Sequence, residues 1–236
     1  MFDQPAGSNM ETTLHHQLKL GYADDPSQTE VVLGNYRIDA MRRCQESGDE
    51  LIEVQCASLS AIRDKCHNLL KRHTLRVVKP VVIRTRIVKL TKPDGPVKSR
   101  RLSPKRGSVL NVFDEMIYFT RVFPHVNLTM EVPLIHVEEV RVPSQKKRRR
   151  SWHKDYKVAD VKLESIESVI ELKVPSDLLS LLDLPDTFTA FNTADLAAAI
   201  DRPRWHAQQI AYVLRKTGAI DQTGRNKSGV VYQRAA

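Results

Sequence analysis

The sequence predicts an α/β fold, a mixed sheet flanked by helices, followed by a smaller helical unit at the C-terminal end. Three observations support this. Segments of alternating polar and apolar residues, typical of strands, recur through residues 29–142. Helical periodicity lies between them, in the order helix, three strands, helix, strand, helix, strand, which is typical of a compact α/β domain. Residues 186–236 instead contain two segments whose apolar residues recur at helical spacing, followed by one hairpin pattern.

Composition limits the classes of protein that the chain can represent. Its apolar content of 41% is enough for a core, and no apolar run approaches the roughly 18 residues of a membrane span. The N-terminus lacks the basic and apolar segments of a secretory signal, and the three cysteines show no paired metal spacing. We therefore expect a cytoplasmic protein, because a reducing compartment suits an odd number of free thiols.

The net charge of +9 is distributed unevenly along the chain. Residues 89–106 contain seven Lys or Arg against one acid, Asp94, and residues 141–154 contain seven against none. Concentrated positive charge favours a polyanionic partner, with nucleic acid as the first candidate. The alternative is that these segments are solvated loops.

The first half of the α/β domain, which we place over residues 11–145, begins with a helix. After residues 1–10, which we expect to be disordered, Glu11–Leu20 has Leu14 and Leu18 on one face. The adjacent His15 and His16 point in different directions on a helix, so they do not form a metal pair. Three strands should follow, over Thr29–Leu33, Tyr36–Arg43 and Glu50–Cys56, the last two joined by a polar link typical of hairpins.

The second half continues with a helix that runs to about Arg72. Its apolar stripe is Leu59, Ile62, Cys66 and Leu69, which makes Cys66 a core residue rather than a nucleophile. Residues 146–185 are predicted to be a basic linker with connecting elements, of which residues 156–174 receive no assignment. The other predicted elements are a strand over Arg76–Leu90 interrupted at Pro80, a basic loop over Thr91–Gly107, a helix over Val109–Val122, a strand over Leu128–Val142 and a short helix over Ser176–Leu182.

Two acids stand out on the predicted hairpin. Pairing of its strands would bring Asp39 beside Glu53, with Gln55 two residues further along the same face. Two carboxylates about 4 Å apart repel by a few kcal/mol at an effective dielectric near 20, whereas a divalent cation reverses this penalty, and oxygen ligands suit Mg²⁺ or Mn²⁺. The hairpin therefore predicts a metal site. The alternative is a solvent-facing strand on which Arg37 pairs with Asp39.

Residues 186–236 predict a winged helix-turn-helix. Asn192 or Thr193 caps a helix that ends at Ile200, and a tight turn leads to a second helix that stops at Gly218. A hairpin with a basic tip follows. The residues of the second helix that we expect in the core are Ala207, Ile210, Ala211 and Leu214.

The hairpin with Asp39 and the Glu53-Val54-Gln55 triplet resembles the PD-(D/E)XK nuclease superfamily, across about residues 10–90. There, an Asp on one strand and a (D/E)-x-K motif on the next bind a divalent metal and activate water against a phosphodiester. The resemblance implies a restriction-endonuclease-like sheet in which Asp39, Glu53 and the Val54 carbonyl hold Mg²⁺ or Mn²⁺. It also implies that Glu11 reaches the metal directly or through water, because Glu11 matches an acid that many members, notably Holliday-junction resolvases, place before the first strand.

The sequence departs from this pattern at Gln55, where Lys is usual, although some restriction enzymes of the superfamily also carry Gln there. A Gln orients water or phosphate by hydrogen bonds but supplies no positive charge. Lys65, or Arg63, on the following helix would then supply that charge.

The C-terminal unit resembles winged-helix DNA-binding domains across about residues 186–234. In such a recognition helix, amides pair with base edges while Arg and Lys contact phosphates. Trp205 is either a contact or a core residue, and winged helices also serve as protein–protein modules. The predicted DNA-contacting residues are Arg204, Trp205, Gln208, Gln209, Tyr212, Arg215 and Lys216 on the helix and Arg225, Asn226 and Lys227 at the wing tip.

Together these patterns predict a metal-dependent DNA endonuclease with a winged helix that positions the DNA. A catalytically inactive, nuclease-like DNA-binding protein is the alternative, and RNA as the polymer is left open. So is a homodimer, for which the sequence carries no signal.

Overall fold

The computed structural model describes residues 12–43, 48–144, 155–185 and 188–235. The described residues therefore do not include the N-terminal segment predicted to be disordered or Glu11. They also do not include most of the basic run of residues 141–154. None of the helices in the described ranges is long and apolar enough to cross a membrane.

A mixed eight-stranded sheet flanked by helices forms the larger part of the fold, which confirms the predicted α/β class. Its strands are β1 (Thr29–Leu33), β2 (Tyr36–Arg42), β3 (Glu50–Val54), β4 (Thr74–Val78), β5 (Val81–Leu90), β6 (Val97–Leu102), β7 (Leu128–Pro143) and β8 (Tyr156–Leu172).

The order of the strands places β3 near the middle of the sheet. β1, β2 and β3 are successive antiparallel neighbours, and β4 joins β3 in parallel. β7 pairs in parallel with both β4 and β5. β4 and β5 therefore lie end to end along β7, as one line that is interrupted at Lys79-Pro80, as predicted. β6 pairs antiparallel with β5, and β8 with β7.

Two helices cover opposite faces of this sheet beside β3. Leu14 and Leu18 of α1 (Thr13–Tyr22) pack in one cluster with Ile52 of β3. Cys66 of α2 (Arg63–Leu69) packs in another cluster with Leu51, the neighbouring residue of β3. Since successive strand residues point to opposite faces, β3 lies between the two helices.

Cys66 is a core residue, as predicted. Its thiol is fully buried, and this burial raises its pKa to about 12. A thiol with so high a pKa forms almost no thiolate near neutral pH, so it is a poor nucleophile.

The C-terminal unit combines three helices with a three-stranded sheet of order β10-β11-β9. Asn192 caps α5 by accepting from the N–H groups of Ala194 and Asp195, and Gly218 ends α6 in the left-handed conformation (φ 82°). The four residues of α6 predicted to be in the core are all buried. The elements are α4 (Pro175–Ser180), β9 (Ala190–Phe191), α5 (Thr193–Ala199), α6 (Arg204–Thr217), β10 (Ile220–Asn226) and β11 (Gly229–Arg234).

Two predicted elements are wrong. The basic loop over Thr91–Gly107 contains strand β6, whose six residues are all exposed and so show no alternation. The helix over Val109–Val122 is reduced to a 3-10 turn, Val109–Val112, and the short α3, Phe113–Met116. Buried side chains in this segment, such as those of adjacent Val112 and Phe113, do not lie on one helical stripe.

Candidate functional site

The candidate site lies where β2 and β3 diverge. Their ladder includes Ala40 opposite Ile52 and does not continue to Asp39 and Glu53. Instead, the N–H of Val54 donates to Oδ2 of Asp39 at 2.8 Å. The aspartate side chain is thereby fixed at the carboxyl end of β3, next to Glu53.

Glu53 is buried on the face of the sheet that α2 covers, with 3% of its surface exposed. Its Oε1 lies 2.5 Å from Nζ of Lys65 in an ion pair that lacks hydrogen-bond geometry, so this oxygen has no hydrogen-bond partner among the described residues. Burial raises the pKa of Glu53 to about 7; Lys65 opposes this shift, and the charge of Asp39 adds to it. Near neutral pH the group therefore exchanges a proton readily.

Asp39 differs from Glu53 in its protonation. Burial on its own would raise the pKa of Asp39, but hydrogen bonds from the His15 side chain and the Val54 N–H outweigh it and hold the pKa below its ordinary value. Asp39 is therefore ionised at pH values where Glu53 is still protonated. Environments that separate the pKa values of two neighbouring carboxyl groups are typical of functional sites.

His15 on α1 completes this group of residues, although the sequence does not predict it. Its Nε2 lies 2.8 Å from the Val54 carbonyl oxygen and 3.5 Å from Oδ2 of Asp39. A carbonyl oxygen only accepts, so Nε2 carries the proton in this contact. In the sequence, the contact could have been found from the position of His15 on α1. His15 lies between the inward-facing Leu14 and Leu18, whose packing directs one edge of the helix towards the hairpin.

Of the other residues predicted to act in catalysis, Gln55 turns away from the site and Lys65 reaches it. The Gln55 side chain turns into the following loop, where Nε2 donates to the Ser58 carbonyl at 3.0 Å and Oε1 accepts from the N–H of Ala57 at 3.3 Å. Arg63 pairs with Asp64 at the surface, at 2.9 Å. Lys65 is thus the cation that the structure brings to Glu53, whereas Glu11 lies outside the described residues.

The donor atoms suit a hard divalent cation. Among the described residues there is no group of three or more His, Cys, Asp and Glu side chains that could hold a metal. Two carboxylates and a carbonyl are nevertheless a set that fits Mg²⁺, which is commonly bound through one or two carboxylates together with waters and substrate phosphates. The buried Oε1 of Glu53, which has an ion pair with Lys65 but no hydrogen bond among the described residues, is the observation that favours a cation here.

The C-terminal unit presents a second group of predicted residues. On α6 the predicted contact residues other than Gln209 are exposed, including Trp205 with 63% of its surface exposed, so Trp205 is not a core residue. Nη2 of Arg204 donates to the Ser228 carbonyl at 3.3 Å, which links α6 to the β10–β11 turn. The predicted wing-tip residues Arg225, Asn226 and Lys227 are exposed at the same turn.

Gln209 is separate from that exposed face. Its Nε2 donates to the Phe113 carbonyl at 2.9 Å and to Oδ1 of Asp114 at 3.2 Å. Its amide therefore holds α6 against α3.

Comparison with known proteins shows the family. The model of the family described as "Domain of unknown function (DUF8091)" matches residues 12–173, and the chain belongs to this family. That range contains α1 and all eight strands of the large sheet and ends before α4.

One relative extends the similarity further. An "Uncharacterized protein" of Treponema pallidum (strain Nichols) is 28% identical over 222 residues, which cover 92% of this chain and 84% of that protein. No solved structure matches the chain.

Proposed function

We propose that this protein is a metal-dependent DNA endonuclease of the PD-(D/E)XK type, which hydrolyses phosphodiester bonds at the Asp39–Glu53 site. One observation carries the proposal. Glu53 is buried with an oxygen that has an ion pair to Lys65 but no hydrogen bond among the described residues, directly beside the ionised Asp39. A buried, incompletely satisfied carboxylate is costly unless a cation completes its environment.

The surrounding elements support this proposal. A helix precedes the three antiparallel strands, a second helix follows them, and β4 then adds in parallel to β3. The two carboxylates thus lie on neighbouring strands with a helix on each side, which agrees with the arrangement that the resemblance implies.

The residues of the site have separate roles in the proposed reaction. Asp39, Glu53 and the Val54 carbonyl would hold the metal, and bound Mg²⁺ or Mn²⁺ supplies an activated water and neutralises charge on the scissile phosphate. The Val54 N–H orients Asp39 and keeps it ionised. Glu53 gives up its proton when a cation binds, because an adjacent positive charge favours the ionised carboxylate. Lys65 adds a fixed positive charge at Oε1 of Glu53.

A winged helix that positions the DNA is the second part of the proposal. The order α4, β9, α5, α6, β10, β11 places one short strand before the helix pair and a hairpin after it, and the short strand pairs with that hairpin. The exposed face of α6 offers Gln208 for base edges and Arg215 and Lys216 for phosphates. The contact between Arg204 and the turn at Ser228 supports a joint surface of helix and wing.

Cleavage assays test the function directly. We expect the wild-type protein to cut one or more of supercoiled, linear and branched DNA with Mg²⁺ or Mn²⁺ and none with EDTA. Asp39→Asn and Glu53→Gln should each reduce cutting by on the order of 100-fold or more while they leave duplex binding in EDTA largely intact. Asp64→Asn, on the exposed surface of α2, is the matched control. Wild-type cutting by either site variant would remove the site assignment.

A catalytically inactive DNA-binding protein is the alternative, and one observation favours it. Lys65 already pairs with Glu53, so an internal ammonium stands next to a carboxylate that would otherwise hold a metal. Binding without cutting on every DNA substrate would support this alternative. A single-stranded RNA arm in the same assay tests RNA as the polymer.

A further inference from the structure

A strongly basic strand lies in line with the candidate site. On one side of the β4–β5 line, β3 pairs with β4 as far as Val54 opposite Val78. On the same side, β6 pairs with β5, and its continuation keeps hydrogen bonds from Ser103 to Thr85 and from Gly107 to Ile83. Val78 and Ile83 are five residues apart, which is roughly 16 Å at the rise of a strand. Arg101 and Arg100 pair with Ile87 and Val88, so they lie roughly 30 Å from Val78 along the same line.

We call residues 97–107, strand β6 and its continuation, the basic ribbon. The segment contains five Lys or Arg and no Asp or Glu. All five side chains are exposed, and none forms an ion pair with another described residue. They are Lys98, Arg100, Arg101, Lys105 and Arg106.

Some basic residues of the large sheet are paired with acids, and others are not. On the neighbouring strands Arg86 pairs with Glu164, and Arg141 pairs with Glu139 at 2.5 Å. Lys89 of β5 and Lys162 of β8, which lies directly across from Glu138, form no ion pair among the described residues. The ribbon differs in density, because five unpaired cations on one short segment leave a concentrated positive field in line with the site.

The ribbon is also fixed in place close to β5. A Cβ at Gly107 would lie 2.1 Å from the Val82 carbonyl oxygen, so only glycine allows the chain to pass this close. The cations of the ribbon are therefore carried by a paired strand and an anchored turn.

We propose that the basic ribbon is a second DNA-binding surface, which contacts the phosphate backbone of duplex DNA along the line of strands that leads away from the Asp39–Glu53 site. Lys and Arg bind phosphates without reading the sequence. The segment has no aromatic residue, and proteins that bind single strands rely on aromatic side chains to stack bases. Duplex DNA is therefore favoured over a single strand. The place of this surface next to hydrolysis rests on the proposed function, whereas its binding to phosphates does not.

The salt dependence of binding tests the proposal. Anisotropy of a fluorescein-labelled duplex would be measured in EDTA over a range of salt concentrations, with wild type and the double variant Arg100→Gln/Arg101→Gln. Two lost phosphate contacts should make the slope of log K against log salt shallower by about 1.8. Arg100→Lys/Arg101→Lys should restore the wild-type slope, because it keeps both charges.

A charge-matched control separates a local contact from general attraction. Lys71→Gln/Arg72→Gln removes two exposed charges just before β4, at the opposite end of the sheet from the site. An equal effect of this control, or wild-type affinity and slope in the Arg100/Arg101 variant, would overturn the proposal. So would an equal loss of binding to labelled single-stranded RNA, which would contradict the preference for duplex DNA. Thermal melts confirm that each variant is folded.

Different experimental results would overturn the nuclease proposal and the ribbon proposal. If wild type cuts DNA and the Arg100/Arg101 variant binds duplex normally, the ribbon proposal is wrong and the nuclease proposal stands. If wild type does not cut any substrate but the variant loses duplex binding, the nuclease proposal is wrong and the ribbon proposal stands.

Discussion

The pKa values of the two carboxyl groups of the site differ because the hydrogen bonds to Asp39 and Glu53 differ. Asp39 accepts a main-chain N–H at 2.8 Å, whereas Oε1 of Glu53 is buried without such a donor. Burial favours the neutral form of a carboxyl group, and hydrogen bonds to its oxygens favour the charged form. The pKa of Asp39 is therefore lowered, whereas the pKa of Glu53 is raised to about 7.

This difference predicts a pH-dependent stability. The folded-state pKa of Glu53, about 7, lies above its ordinary value of 4.5. Its contribution to stability is therefore fully present below pH 4.5 and is lost as the pH rises through 7. In EDTA, Glu53→Gln should gain stability relative to wild type as the pH rises, by up to about 3 kcal/mol in the free energy of unfolding. Chemical denaturation at several pH values measures this, and an offset that does not change with pH would contradict it.

At the scale of single residues, the sequence predicts acids better than their partners. Asp39 and Glu53 follow from alternation along two strands, and Lys65 follows from its place on the next helix. His15 and Gln55 do not follow, because their contacts depend on side-chain directions that no periodicity encodes. The Gln55 side chain bonds to its own loop at Ser58, and His15 reaches Val54 across the packing of α1 on the sheet.

At the scale of elements, α6 has one exposed face that we propose contacts DNA and another face that packs on the fold. Gln208 is exposed, whereas the adjacent Gln209 donates to α3. Gln208→Ala should weaken duplex binding and leave the melting temperature unchanged. Gln209→Ala should lower the free energy of unfolding by about 1 kcal/mol, the usual net value of a hydrogen bond, with little effect on duplex affinity. Anisotropy and denaturation of both variants check this, and a reversed pattern would contradict the assignment of faces on α6.

Elements that pack on a core in a regular pattern are predicted correctly, and elements exposed on both sides are not. The stripe of α6 is visible in the sequence because one side of the helix packs on a core, and β3, which is buried on both faces, is visible from its apolar residues and the polar link before it. Strand β6 is exposed on both sides, and β8 is largely exposed, so neither shows the alternation of a half-buried strand. The segment around α3 is buried on several sides, which removes the helical stripe.

At the scale of the whole molecule, the large sheet and the C-terminal unit share one core. Phe113 and Met116 belong to the same buried cluster as Ala207 and Ile210 of α6. Deleting residues 186–236 would therefore expose apolar surface of the sheet domain. Point substitutions on α6 are the better test of DNA binding, because they leave this core in place.

Metal binding by the isolated protein tests the central proposal most directly. Calorimetric titration with Mn²⁺ would compare wild type, Asp39→Asn and Glu53→Gln, with and without a non-cleavable duplex. We expect one Mn²⁺ per wild-type chain, binding weakened at least roughly tenfold in each variant, and proton release from wild type at pH 7 because Glu53 must ionise. Equal binding by all three proteins, or no Mn²⁺ binding by wild type even with the duplex, would contradict a metal centre at Asp39 and Glu53.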